Sequence, residues 1–350
     1  MLYCASGFSK VQALRIVMMS FPLTTRAAMF LSEEEVVVRE RSLPELEESE
    51  IVVEVEACGI CGTDIAALRE GRVDYESFGH EVAGRIAGVG QVVLESSSAC
   101  GRCSNCRNMK QELCEKICSF WPRGYFGFAE RMVSPVISAV PYEGLAPDVA
   151  CLSEPLGVAL DMLRLVEICP GSVVLVSGLG PIGLMALRLA KLAGASRIYA
   201  VSYSHLKARN ELARAFGADE VLLEDKSPVT EYIFPQKPDR FLVTAPPKVL
   251  PAMFQVAAKG SILTYIGIAH GEGARVEFDA NDFHFKKLQL RASFASPALL
   301  TPLALRLLRE GAVDGRAMIT HRFGLEDMAE AVRVACREKA RCIKVVMLRN

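Results

Sequence analysis

Four cysteines lie close together in the chain in the pattern C-x2-C-x2-C-x7-C: Cys100, Cys103, Cys106 and Cys114. Zinc favours four thiolates in a tetrahedron, and this tight spacing lets one short loop supply all four ligands. The residues between the cysteines are mostly polar, which argues against buried thiols that pack as small apolar side chains. The spacing therefore predicts a structural zinc site, with an iron–sulfur cluster as the alternative.

A second group of possible metal ligands lies in the segments G-I-C-G-T-D (residues 59–64) and G-H-E (residues 79–81). Cys61 and His80 carry atoms that bind zinc, and the flanking glycines would let the backbone approach a metal closely. One cysteine and one histidine at this separation do not establish a site by themselves. We interpret Cys58, which follows a strand-like pattern, as a packed thiol rather than a further ligand.

A glycine-rich motif, G-x-G-x-x-G, follows an apolar strand pattern at residues 172–177 and precedes a helical pattern. In this context its backbone N–H groups and the helix N-terminus can bind a pyrophosphate; a glycine-rich turn without a ligand is the alternative. The residues predicted to bind a dinucleotide here are Gly178, Gly180, Pro181, Ile182 and Gly183.

The end of the next strand usually carries an acid that binds the ribose hydroxyls of NAD, and Ser202 stands at that position. Tyr203 follows it, and Lys207 and Arg209 open the next helical pattern. Ser202 would not repel a 2′-phosphate, and the two cations could attract one. We therefore expect a preference for NADP(H) over NAD(H); the alternative is that both cations are solvated and Ser202 merely tolerates NAD.

Strands alternate with helices after Pro155, a pattern typical of a doubly wound parallel sheet. Helices are predicted at 156–166, 184–192 and 206–216, and strands at 172–177, 197–202, 220–223, 240–244 and 260–266. Before this region, residues 50–141 show short strands and glycine-rich turns, which predicts a β-rich domain. After residue 296, helical patterns at 302–310 and 325–337 precede a last strand at 343–348.

The chain has 350 residues, of which 51% are hydrophobic and 23% are charged. This composition is typical of a folded globular protein. The formal charge of -1 argues against nucleic-acid binding, and the absence of an 18-residue apolar run argues against a membrane span. Residues 1–23 contain no acid and no clean period, so they are predicted to be an extension, with Met18 or Met19 as a possible start. Sparse cysteines and no export signal predict a cytoplasmic location.

In their order along the chain, these motifs resemble the zinc-containing branch of the medium-chain dehydrogenase/reductase superfamily, from about Thr25 onward. The motifs that carry the resemblance are G-I-C-G-T-D, G-H-E, the four-cysteine loop, G-F-A-E (127–130), E-P-L (154–156), G-x-G-x-x-G and I-T-H-R-F (319–323). The resemblance implies an α/β protein with a GroES-like β-rich catalytic domain at 24–154 and a Rossmann domain with a doubly wound parallel sheet at 155–296. Residues 297–350 would return to the catalytic domain.

The resemblance also implies a catalytic zinc held by Cys61 and His80, with Glu81 and Glu154 as ligand or exchangeable ligand. Glu154, in its E-P-L setting, looks most like the polyol and threonine dehydrogenases. Thr63 would pass the alcohol proton towards solvent, and Asp64 would orient a ligand. Asp161 stands where many relatives carry a histidine.

The expected function is hydride transfer between a secondary alcohol, polyol or sugar and NAD or NADP, with two zinc ions per chain in a homodimer or homotetramer. One alternative is a zinc-independent enone or quinone reductase of the same superfamily. Another is a non-catalytic nucleotide-binding subunit.

Overall fold

The computed structural model describes residues 24–32, 35–69, 78–123 and 127–349. The predicted extension at 1–23, with Met18 and Met19, lies outside the described residues. Among the helices of the described residues, none has the length and apolar character needed to cross a membrane.

The elements are numbered here in chain order. The strands are β1 (Thr24–Phe30), β2 (Val36–Ser42), β3 (Glu50–Gly59), β4 (Glu81–Ile86), β5 (Gly90–Leu94), β6 (Ser97–Ser98), β7 (Cys118–Ser119), β8 (Arg131–Pro135), β9 (Ala139–Pro141), β10 (Val173–Ser177), β11 (Arg197–Ser202), β12 (Glu220–Leu223), β13 (Arg240–Val243), β14 (Ile262–Tyr265), β15 (Gln289–Ala292), β16 (Ile319–Phe323) and β17 (Lys344–Leu348). The helices are α1 (Gly62–Arg69), α2 (Ser104–Arg107), α3 (Pro147–Ala150), α4 (Ser153–Val166), α5 (Pro181–Leu192), α6 (Lys207–Phe216), α7 (Leu250–Val256), α8 (Ala280–Phe285), α9 (Thr301–Arg309), α10 (Gly315–Met318) and α11 (Met328–Arg337).

The β-rich part is built on a seven-stranded sheet in the order β16-β17-β3-β4-β5-β9, with β8 also paired to β3. The last strand, β17, runs antiparallel to β3, with Val346 opposite Gly59. The end of the chain therefore returns to the sheet that its first part forms.

The second sheet has six parallel strands in the order β12-β11-β10-β13-β14-β15. The central strand β10 is an almost continuous apolar run because both of its faces are covered, and all five of its residues are buried. Helices α4 and α5 contribute buried residues to a large core that also includes residues of β10, β11 and β13. The predicted doubly wound α/β sheet is confirmed.

Several predicted bounds change by one to three residues. The helix predicted at 184–192 begins at Pro181, since proline fits the first helical position, where its missing N–H is not needed. The helical pattern at 325–337 divides into a 3-10 turn at Leu325–Asp327 and α11. The sequence pattern did not predict several elements, among them α7, α8 and the edge strand β15, because they are short and lack a clean period.

Candidate functional site

The antiparallel pairing of β3 and β4 brings the two sequence-distant metal-ligand segments together. Gly59 at the end of β3 lies opposite Glu81 at the start of β4. Cys61 follows the first strand and His80 precedes the second, so both side chains lie beyond the same end of the pair. Their ligand atoms and those of Glu81 all lie within 4.8 Å of one another.

Asp64 holds together the two segments on which Cys61 and His80 lie. Its carboxylate accepts the backbone N–H of Cys61 at 2.8 Å and that of Gly79 at 3.4 Å. Its Oδ1 also lies 3.6 Å from Nδ1 of His80. This arrangement suits a residue that orients metal ligands, the role that the resemblance implies for Asp64.

The cluster has the chemistry of a zinc site. His80 Nδ1 and Glu81 Oε2 are buried and have no hydrogen-bond partner among the described residues, an arrangement that is costly unless a ligand satisfies such atoms. Burial alone would lower the pKa of His80, but the Cys61 thiol and the Asp64 carboxylate raise it well above its usual value. A thiolate, an imidazole and a carboxylate are ligands that zinc accepts, so these residues fit the metal.

A buried lysine that the sequence reasoning missed stands behind the cluster. Lys344, at the start of β17, is 2% exposed, and its Nζ donates to the Ile60 carbonyl at 2.8 Å and to Oε1 of Glu81. Burial alone would lower its pKa, yet the Glu81 carboxylate raises it above the usual value. Gly59 makes room for this pair, because a Cβ there would lie 2.1 Å from Oε2 of Glu81. The sequence signal that could have identified this residue is a lysine within the last apolar strand pattern.

Glu154 lies near the cluster but outside the set of atoms within 4.8 Å. It stands in the first turn of α4. Its pKa is raised to about 7, chiefly by burial, while His80 lowers it and Glu81 raises it. Thr63, in the first turn of α1, is exposed. Their predicted roles as exchangeable ligand and proton carrier stay predictions.

A pocket lies beside Glu154, and its walls come from β5, α4 and the segment that leads into α9. Four carboxylates contribute to its lining: Glu95, Glu112, Glu154 and Asp161. Asp161 accepts a hydrogen bond from Ser293 Oγ at 2.6 Å and pairs with Arg164. The lining residues within the described part of the chain include no lysine or arginine.

The four-cysteine loop folds into a compact sulfur cluster, as the spacing predicts. The sulfurs of Cys100 and Cys106 lie 4.0 Å apart and those of Cys103 and Cys114 lie 3.9 Å apart, and all four lie within 4.8 Å of one another. Four thiolates at about 2.3 Å from one zinc ion would be about 3.8 Å apart, and a disulfide would be far shorter. Hydrogen bonds from the backbone, chiefly that of Cys106, lower the pKa of Cys103 to about 6. The predicted convergence is confirmed.

The glycine motif has the geometry of a dinucleotide-binding turn. Gly178 has φ of +94°, which favours glycine, and a Cβ at Gly183 would lie 2.0 Å from the Gly178 carbonyl oxygen. A Cβ at Gly180 would meet nothing within 4 Å, so the space beside it is open to a pyrophosphate. Pro181 and Ile182 then form the first turn of α5, whose N-terminus has no side-chain cap. These residues fit the cofactor.

At the ribose end of the nucleotide site, Ser202 and Arg209 are placed differently from the sequence prediction. Ser202 is 3% exposed and its Oγ is buried, whereas Tyr203 and Lys207 are exposed. Arg209 donates its Nε–H to the carbonyl of Cys342, 3.1 Å away in the returning segment. Asp225, just past β12, was missed; it accepts hydrogen bonds from both the N–H and the Oγ of Ser204.

Comparisons with known proteins agree with this geometry. The family models named alcohol dehydrogenase GroES-like domain and zinc-binding dehydrogenase match residues 47–144 and 181–310. The L-galactonate-5-dehydrogenase of Escherichia coli K12 is 30% identical over 324 residues, covering 85% of this chain and 91% of that protein. The sorbitol dehydrogenase of Bacillus subtilis 168 is 27% identical over 356 residues, covering 94% and 98%.

The comparison with solved structures gives the same fold. The crystal structure of a short chain alcohol dehydrogenase from E. coli CFT073, in complex with NADH, superimposes with a TM-score of 0.82 at 23% identity and covers 93% of this chain and 99% of that one. The motif order, the two sheets and the similarity over almost the whole length all agree. The chain belongs to the zinc-containing branch of the medium-chain dehydrogenase/reductase superfamily and is a zinc-dependent dehydrogenase that uses a nicotinamide cofactor.

Proposed function

We propose that the protein interconverts a neutral polyol or sugar alcohol and its carbonyl form, with Cys61, His80 and a carboxylate of Glu81 or Glu154 as the ligands of a catalytic zinc. The observation that carries this proposal is the convergence of the Cys61, His80 and Glu81 ligand atoms within 4.8 Å. Glu154 supports it, because this carboxylate lines the pocket and also interacts electrostatically with His80 and Glu81 of the cluster.

When bound, zinc supplies a Lewis acid that makes an alcohol more acidic, and the nicotinamide accepts hydride. The chain's own residues position the reactants and move the proton. Asp64 keeps Cys61 and His80 in place through its backbone hydrogen bonds. Thr63 Oγ1 accepts the substrate proton and passes it to solvent from the exposed first turn of α1.

The lining of the pocket favours an uncharged substrate. Glu95 lies in it with a pKa that burial raises, although Ser98 and Thr301 donate hydrogen bonds to it. Carboxylates accept hydrogen bonds from the several hydroxyls of a polyol. The carboxylate of an aldonate would be repelled by the same groups.

The test is a turnover panel of polyols, sugars, secondary alcohols, threonine and aldonates with both cofactors, together with zinc content. We expect polyols to give the highest kcat/KM and the aldonates to give low values. Cys61→Ala should lower kcat/KM at least about a thousandfold and zinc from two ions per chain to one, because one ligand of the open site is lost.

Cys169→Ala is the matched control, since this thiol is exposed and lies outside both clusters. It should keep full activity and both zinc ions. Full activity of Cys61→Ala would contradict the proposed site. Turnover of enones or quinones without zinc would instead support the reductase alternative, and no turnover with any substrate would support a non-catalytic subunit.

The remaining assignments are also proposals. Domain limits at 24–154, 155–296 and 297–350 are supported by the pairing of β17 with β3, although α4 crosses the first of these limits. A cytoplasmic location is supported by the cysteines of the described residues, because none of them forms a disulfide bond. A homodimer or homotetramer is supported by the edge strand β15.

A further inference from the structure

We infer that Asp225 selects NAD(H) over NADP(H), because its carboxylate occupies the hydrogen-bond donors that a 2′-phosphate would need. This inference rests on the proposed nucleotide site. It replaces the preference for NADP(H) that the residues around Ser202 suggest in the sequence alone.

Strand pairing places Asp225 at the ribose end of the sheet. β11 and β12 run parallel, with Ser202 opposite Leu223. Their carboxyl ends therefore lie at the same edge, and the ladder continues one step further, where the N–H of Glu224 donates to the Ser202 carbonyl at 2.9 Å. Ser204 and Asp225 follow at matching positions beyond the two strands.

The two hydrogen-bond donors of Ser204 form an anion-binding site that the Asp225 carboxylate occupies. The Ser204 N–H donates to Oδ1 of Asp225 at 2.7 Å, and the Ser204 hydroxyl donates to Oδ2. A backbone N–H and a hydroxyl at the end of this strand are groups that bind phosphate. These hydrogen bonds lower the pKa of Asp225, so the carboxylate is ionised at neutral pH.

The other residues that the sequence analysis predicted to favour a 2′-phosphate contribute little to binding it. The Ser202 hydroxyl is buried, and Arg209 is directed through its Nε to the Cys342 carbonyl. Lys207 is exposed, as is Lys226, which follows Asp225 in the chain, so solvent and salt screen the charges of both side chains. A dianionic 2′-phosphate would have to displace or approach the Asp225 carboxylate, whereas the 2′-hydroxyl of NAD can donate a hydrogen bond to it.

The test measures dissociation constants of the zinc-containing protein for NADH and NADPH by nucleotide fluorescence, with kcat/KM for NAD and NADP as a second readout. We expect the wild-type protein to bind NADH at least about tenfold more tightly than NADPH, equivalent to about 1.4 kcal/mol. Asp225→Asn and Asp225→Ser should each reduce the ratio of the NADPH to the NADH dissociation constant about tenfold, because each variant binds NADPH more tightly.

Asp219→Asn is the matched control, because it removes the same charge from the opposite end of β12, where Asp219 accepts the Ile198 N–H. It should leave the ratio unchanged. Tighter binding of NADPH by the wild-type protein, or an unchanged ratio in both Asp225 variants while nucleotide binding persists, would overturn this inference alone. Failure to bind either nucleotide would contradict the proposed function instead.

Discussion

Glu81 illustrates how one side chain can join the metal cluster to the protein interior. Its Oε1 accepts from Lys344, whereas its Oε2 points to the space that Gly59 leaves free and has no partner among the described residues. A buried carboxylate of this kind is tolerated because a buried cation offsets its charge. The residue therefore has both a structural partner and a free ligand atom.

Removal of the lysine should expose this dependence. Lys344→Met keeps the length and the apolar stem but leaves Glu81 as an unpaired buried charge, so we expect the free energy of unfolding at neutral pH to fall by about 3–5 kcal/mol. Urea denaturation, monitored by circular dichroism, measures this free energy of unfolding. Because the two residues form one pair, the loss in Lys344→Met with Glu81→Gln should be smaller than the sum of the single losses.

The exposed Lys339 offers the control for this experiment. Lys339→Met should change the free energy of unfolding by less than about 0.5 kcal/mol, as is usual for surface positions. An unchanged stability in Lys344→Met would show that the buried pair does not support the fold.

At the level of elements, the turn between β10 and α5 uses its glycines for different reasons. Gly183 is required by the fold, since the Cβ of any other residue there would clash with the Gly178 carbonyl oxygen. Gly180 faces open space and is required only when a phosphate group approaches the backbone. The same motif therefore contains one folding residue and one binding residue.

Two alanine substitutions separate these roles. Gly180→Ala should leave the melting temperature within about 2 °C of the wild type and weaken NADH binding at least about tenfold, because its Cβ would collide only with the cofactor. Gly183→Ala should weaken binding and lower the melting temperature by more than about 4 °C, because the turn itself must move. Fluorescence titration and thermal unfolding give the two values; unaltered binding in Gly180→Ala would argue against a pyrophosphate at this turn.

At the level of the whole molecule, the six-stranded sheet ends in an exposed strand. β15 lies at the edge of the sheet, and Leu290 within it is partly exposed. Two large apolar side chains lie close to it in sequence, Phe285 at 71% and Phe294 at 74% exposed. An exposed edge strand with large apolar side chains in and near it pairs readily with a second copy of the chain.

This surface leads to a prediction about assembly. Sedimentation equilibrium should give a dimer or tetramer for the wild-type protein, and Leu290→Asp should shift it towards monomer, since pairing of the edge strands would bury a carboxylate in the interface. Ile233→Asp is the control: Ile233 is 90% exposed and follows Tyr232, which donates to Glu220 on β12 at the opposite edge. A monomeric wild-type protein would contradict this assignment.

Much of the fold and of the metal chemistry could be predicted from the sequence because the signals are local. The cysteine cluster requires only fifteen consecutive residues, and β11 and α6 were located to within one residue by their own periodicity. Glycine spacing after an apolar strand likewise identified the nucleotide turn. In each case neighbouring residues contain the whole pattern, so no distant contact is needed to interpret it.

Only the tertiary structure determined which distant residues share a site. Lys344 reaches Glu81 across 263 positions, through the pairing of β17 with β3. Asp225 reaches Ser204 only because β12 is the neighbour of β11, and our inference of a preference for NAD(H) rests on this contact. The physical reason is that strand order and register depend on the packing of the entire core, and no local pattern of residues encodes them.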